Sequence, residues 1–107
     1  MRRGRALLAA GAASLALAGC ERATLGPEVE RGRQVYVSQC TACHAFDAAQ
    51  PGPVGPEVKG ASRELLEAKI VRGTYPPGYS PKRPTAVMPP QPALGPEIDA
   101  LAAYLGR

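Results

Sequence analysis

Apolar residues along this chain fall into one nearly unbroken run and three periodic stretches, separated by segments rich in proline and glycine. The run, Ala6 to Ala18, is interrupted only by Gly11 and Ser14. It is too short to cross a bilayer as a helix, which takes about 20 apolar residues. The first periodic stretch begins at Pro27, a residue favoured at the first helical position, and Glu28 and Glu30 suit the positive end of a helix dipole. It predicts a helix through Gly32, Val35, Tyr36 and Gln39, with Gly32 and Tyr36 on one face. A glycine inside a helix costs about 1 kcal/mol against alanine, so Gly32 implies a second backbone in close approach. A loop punctuated by Pro51, Gly52, Pro53, Gly55 and Pro56 follows and ends at Gly60. Ser62 then caps a second predicted helix, Arg63 to Arg72, with Leu65, Leu66, Lys69 and Ile70 along one stripe and Gly73 as its stop. The third stretch, Pro96 to Leu105, puts Ile98, Leu101, Ala102 and Leu105 on one face. The expected class is all-α, three main helices joined by Pro/Gly-rich loops.

Residues 74–96 hold eight of the twelve prolines and almost no periodicity. Alone, such a segment reads as a linker; between two amphipathic helices it reads as a stiff loop held at both ends. From Cys20 onward 88 residues remain, one small domain whose own core is thin. Four Tyr, one Phe and no Trp fit a core completed by a buried ligand.

Chemistry enters at Cys40-Thr41-Ala42-Cys43-His44. On a helical turn both sulfurs of C-x-x-C reach the two vinyl groups of one porphyrin edge and form thioethers, and the next residue turns its imidazole to the iron. C-x-x-C-H is the sequence sign of c-type haem attachment. A thioredoxin-like dithiol needs a strand-and-helix setting that the flanks, helix before and Pro/Gly loop after, do not provide. Structural zinc needs four ligands, and outside this motif only Cys20 is of a suitable type among Cys and His.

Haem attachment of this kind takes place outside the cytoplasm, and Arg2, Arg3 and Arg5 before the apolar run read as a secretory signal. The run ends in Leu17-Ala18-Gly19-Cys20, which resembles the lipobox of bacterial lipoproteins. That resemblance implies a signal over residues 1–19, lipidation of Cys20, a tether over 20–26 and a domain over 27–107. An ordinary secretory signal with a spare thiol is the alternative, but an odd thiol in an exported protein is reactive, which favours lipidation. Two or three acyl chains anchor stably where one is marginal. The net charge of +4 reflects 13 Lys and Arg against 9 Asp and Glu, and the signal holds three of those Arg, leaving ten against nine. Two ionised haem propionates would bring the domain to about −1. No basic patch remains to argue for nucleic-acid binding.

A six-coordinate haem iron needs a second axial ligand, and the single histidine is already used. With Met1 in the signal, Met88 is the one methionine left, 44 residues after His44. Lys59, Lys69, Lys82 or an open position are the alternatives. A gap-filling core methionine is another role for Met88, though a proline-rich surface loop is a poor place for one. Thioether ligation opposite imidazole raises the reduction potential, and filling both positions leaves none for O2 or peroxide, so one-electron transfer is expected rather than catalysis. The prolines from Pro76 to Pro92 lower the entropy of the unligated loop. Tyr75 and Tyr79 are candidates for a hydrogen bond to a propionate or to the methionine sulfur.

The order of these features resembles the small monohaem class I cytochromes c over essentially all of Glu28 to Leu105. Gly32-x-x-Val35-Tyr36-x-x-x-Cys40-x-x-Cys43-His44 and Leu101-x-x-Tyr104-Leu105 are similar to that family's crossing terminal helices, and Val87-Met88-Pro89-Pro90 to its Met-Pro ligand loop. Gly55-Pro56-Glu57-Val58-Lys59-Gly60 resembles the loop whose proline carbonyl accepts a hydrogen bond from the proximal histidine. The resemblance implies that Pro56 orients His44, with Pro53, which also follows a glycine, as the alternative. It further implies one covalent haem c held by Cys40 and Cys43, with His44 and Met88 as axial ligands. With the export signal, this leads to the expectation of a monomeric, lipid-anchored electron carrier on the outer, periplasmic face of a bacterial cytoplasmic membrane. Its redox partners would be a quinol-oxidising or dehydrogenase complex and a terminal oxidase or reductase. A haem c subunit held in a periplasmic dehydrogenase or sulfur-oxidising complex is the alternative, with Tyr75 to Tyr79 as its candidate apolar patch. Lys59, Arg63, Lys82 and Arg83 are candidates for a charged rim that steers weak, fast encounters.

Overall fold

The computed structural model describes Gly11 and residues 25–84 and 87–107. The expected signal, the lipidation site Cys20 and most of the tether lie outside the described residues.

Helix α1 spans Pro27–Gln39, with Pro27 in its first turn beside Glu28 and Glu30, and it closes where the Cys40 N–H bonds the Tyr36 carbonyl. Ser62 starts α2, Arg63–Leu66: its hydroxyl accepts the Leu65 N–H at 3.1 Å. The helix then widens into a π-helical turn over Glu67–Val71. Gly73, at φ +68°, ends it, and the Thr74 N–H returns to the Ala68 carbonyl at 3.0 Å. A left-handed glycine with a returning bond is a common helix stop; here the bond spans six residues rather than an α-helix's five, in step with the wider π turn. Helix α3 spans Ile98–Leu105 and is preceded by a 3-10 segment over Pro92–Glu97. The expected start at Pro96 is therefore two residues early. Pro92 and Pro96 lack the N–H that an α ladder uses, and the Ile98 N–H bonds Gly95, three residues back.

The three helices share one core: Val35 and Tyr36 from α1, Leu66 and Ile70 from the second helix with its π turn, and Ile98, Leu101 and Leu105 from α3. Leu101 is 0% exposed, and Tyr36 and Ile98 are 1%. Helices α1 and α3 cross at Gly32, where a Cβ would lie 2.6 Å from the Ala100 carbonyl carbon and 2.8 Å from the Tyr104 Cβ. This is the close approach that the glycine implied. Beside the crossing the Tyr36 and Tyr104 rings pack tilted at 5.7 Å, and Arg31 pairs with Glu97 on the outside. Arg63 bridges to Asp99 at 2.5 Å and to Glu67 at 2.8 Å, joining α2 to α3. The end of α1, the 51–60 loop, the second helix and the 74–91 loop surround a cleft of about 590 Å³. Among the described residues no helix is long and apolar enough to cross a membrane.

Candidate haem site

Helix α1 delivers the thiols. Where its ladder ends, the chain makes one more tight turn, in which the Cys43 N–H (3.2 Å) and the His44 N–H (2.9 Å) both bond the Cys40 carbonyl. Cys40, Cys43 and His44 all line the cleft, with Cys40 half-buried, Cys43 exposed and both as free thiols. Burial pushes the Cys40 thiol up to about 11, so at neutral pH it is an S–H and not a thiolate. The Tyr36 hydroxyl, pushed up to about 12 by burial, donates to the Ala45 carbonyl at 2.5 Å and ties α1 to the residue after His44.

The 51–60 loop wraps behind this turn. The Cys43 carbonyl accepts the N–H groups of Val54 (3.1 Å) and Gly55 (2.8 Å), and the Gly52 N–H bonds the Gly55 carbonyl at 2.9 Å. Such proximity requires glycine twice: a Cβ on residue 52 would lie 2.6 Å from Ala45 N, and one on residue 55 would lie 2.6 Å from His44 Nδ1. The sequence Pro51-Gly52-Pro53-Val54-Gly55-Pro56 marked a loop, but not that Gly52 presses on the main chain of residues 43–45 and Gly55 on the imidazole. His44 Nδ1 donates to the Pro56 carbonyl at 2.8 Å, so the bond falls on Pro56 and not on Pro53. Because a carbonyl only accepts, Nδ1 carries the ring proton, and Nε2 keeps a lone pair for a metal.

Met88 lines the same cleft and is half-buried against the shared core. After it, the Gln91 N–H bonds the Ile70 carbonyl at 2.5 Å. Before it, Arg83 Nη1 donates to the Val54 carbonyl at 2.6 Å, and Lys82 Nζ donates to the Glu57 carbonyl at 3.0 Å while pairing with its carboxylate at 3.2 Å. Glu57's own backbone N–H and then Lys82 hold that carboxyl below its ordinary value. Of the expected charged rim, Lys82, Arg83 and Arg63 each make contacts within the protein, while the Arg63 and Lys82 side chains stay 56% and 42% exposed. Of the four, Lys59 alone makes neither an ion pair nor a side-chain hydrogen bond among the described residues. Opposite charges and carbonyls tens of residues away claimed the other three.

Tyr75 and Tyr79 stack on each other at 5.4 Å and line the cleft, with Lys69 Nζ 4.5 Å from the Tyr75 ring centre. The expected outer patch at this segment is thus part of the cleft wall. Among the described residues the exposed large apolar side chains are Phe46 (69%), Val87 (62%) and Val54 (45%), with Tyr75 at the margin (36%), and Val54 and Val87 also line the cleft.

This arrangement suits a haem. One turn offers two thiols and an imidazole with a free Nε2, a second loop offers a thioether, and Leu66, Ile70, Leu101 and Leu105 supply a dry wall. Among the described residues no three of His, Cys, Asp and Glu gather as a metal cluster would require. No curated protein matches the chain in a sequence comparison. A family model described as "Cytochrome C oxidase, cbb3-type, subunit III" matches residues 27–105, from the first residue of α1 to the last of α3. The turn, the loops and the helical frame are therefore those of this family, to which the chain belongs: it is a class I-like monohaem cytochrome c domain that carries one covalent haem c and transfers electrons.

Proposed function

We propose that Cys40 and Cys43 hold the haem as thioethers, that His44 and Met88 are its axial ligands, and that the protein is a one-electron carrier tethered through Cys20. Its place is the outer, periplasmic face of a bacterial cytoplasmic membrane, between a quinol-oxidising or dehydrogenase complex and a terminal oxidase or reductase. The observation that carries this reading is the His44 bond to Pro56, which leaves Nε2 as a donor in the same cleft that Met88 lines. The haem supplies one-electron exchange between ferrous and ferric iron. The rest falls to the chain's own residues. Pro56 fixes the imidazole's orientation and makes Nε2 more basic, and the leucines and Ile70 exclude water, which disfavours the extra charge of the oxidised state. Lys82 is engaged by Glu57 and Lys69 by Tyr75, which favours Met88 over either amine.

A second reading is favoured by the family's description as an oxidase subunit: a haem c subunit held permanently in a complex, whether an oxidase, a periplasmic dehydrogenase or a sulfur-oxidising assembly. Gel filtration of the lipid-free domain separates the two, since a stable monomer with a reversible redox couple supports the carrier. Optical spectra of the ferric and ferrous protein, with and without carbon monoxide, test the ligands; carbon monoxide binding as fast as to an open haem overturns Met88. Mass spectrometry of the membrane fraction should find a chain beginning at a lipid-modified Cys20, and a soluble product starting beyond it removes the tether.

A further inference from the structure

Proline lowers the entropy of a loop but does not say where the loop sits. The segment carrying Met88 needs an address as well as stiffness, and two side chains supply one. We infer that Lys82 and Arg83 are positioning residues for Met88, fastening the loop that carries it to the loop that orients His44. This rests on Met88 being the second iron ligand.

The contacts are specific about what they join. Arg83 reaches the carbonyl of Val54 and Lys82 that of Glu57, the two residues flanking Gly55 and Pro56, which touch the His44 ring. A shift of the 51–60 loop is thus passed to both walls of the cleft together. Exposed ion pairs by themselves contribute little, and the Lys82–Glu57 carboxylate contact is one. Bonds from cationic donors to main-chain carbonyls are stronger, and they fix backbone against backbone.

Chain length gives the size of the effect. The next tie after Met88 is the Gln91 N–H on Ile70. With Lys82 and Arg83 fastened, the span carrying Met88 runs eight residues, from Arg83 to Gln91; with both released, it runs twelve, from Tyr79 stacked on Tyr75 to Gln91. Lengthening a loop by half lowers the chance that its ends and its cargo are in place by about twofold. Loss of the two charge-assisted bonds adds to that.

The test is imidazole binding to the haem-loaded ferric protein, followed by absorbance. Imidazole takes only iron that the sulfur has left, so its apparent affinity scales with the fraction of open loop. The Lys82→Met/Arg83→Met double variant should bind imidazole about two- to tenfold more tightly. Arg83→Lys, which keeps a donor, should stay near the parent. Arg31→Met, which breaks the Arg31–Glu97 pair between α1 and the start of α3, should leave the affinity unchanged. Met88→Ala sets the ceiling with a much larger gain. If Met88→Ala shows that gain and the double variant matches the parent, the clamp is overturned and the ligand reading stands. If Met88→Ala changes nothing, both fall. Should the double variant fail to load haem, the single variants decide: each gains part of the effect, or the inference is wrong.

Discussion

Around His44 the main chain bonds to itself: the Cys40 carbonyl takes the N–H groups of Cys43 and His44, and the Cys43 carbonyl takes those of Val54 and Gly55. Met88 stands instead in a segment tied by side chains that reach 25 and 29 residues back, and by a single main-chain bond to Ile70. The histidine wall is a local fold, made possible by Gly52, whose missing Cβ leaves room for the main chain of residues 43–45, and by Gly55, whose missing Cβ leaves room for the ring. The methionine wall is stiff through proline and placed through reach. Two routes to rigidity thus meet in one cleft, and they fail in different ways. Crowding breaks the first, and cutting a tether loosens the second.

The strongest way to break the comparison is to remove what the histidine wall is built around. Cys40→Ala/Cys43→Ala should abolish covalent haem entirely, read by haem staining after denaturing electrophoresis, and with the macrocycle gone most helical circular dichroism should disappear. Gly55→Ala leaves the thiols but puts a methyl group against His44. It should cost about 3 kcal/mol, at the upper end for overpacking, because a Cβ there would lie 2.6 Å from His44 Nδ1, which the Pro56 carbonyl holds in place. Denaturant unfolding measures it, and a displaced imidazole should appear as a high-spin component in the ferric spectrum. Met88→Ala acts only on the other wall. Covalent haem should stay, stability should fall by about 2 kcal/mol for a half-buried methionine, carbon monoxide should bind readily, and the reduction potential should drop. If Gly55→Ala leaves the spectrum unchanged while Met88→Ala unfolds the domain, the comparison is the wrong way round.

The smallest effect is on pH. The folded Glu57 carboxyl titrates below its ordinary value of 4.5, so its contribution is fully present above that value and is lost as pH falls through the lowered folded value. Thermal midpoints measured downward from neutral pH should show this acid-side loss, and Glu57→Gln should flatten it while keeping the Lys82 bond to the residue 57 carbonyl. A variant with an unchanged acid slope would mean that the lysine holds the loop through the carbonyl alone.

What the sequence made legible follows the same division. Pro27 and the acidic first turn marked the start of α1, Ser62 capped α2, Gly73 stopped the second helix and Gly32 announced the crossing, because each is a residue type chosen by its own backbone. The π turn over Glu67–Val71 left no such sign, since α and π turns use the same residues and differ by one step in the hydrogen-bond ladder. Lys82 and Arg83 looked like free surface charges because their partners, Glu57 and Val54, lie far away in sequence and one of them is a carbonyl, which every residue has. The haem motif was plain from Cys40 to His44, whereas the role of Gly55 against the ring needed coordinates.

The meeting of α1 and α3 at Gly32 and Ala100 also orders events in time. Ribosomes make proteins from the N-terminus, so the Cys40 to His44 segment exists before the helix that closes over it. Sixty-eight residues separate the two crossing positions, and contacts so distant in the chain form late. The pocket around the two thiols is therefore not yet closed when they first become available. Attachment can precede closure, with α3, made later, shutting the pocket behind its cargo.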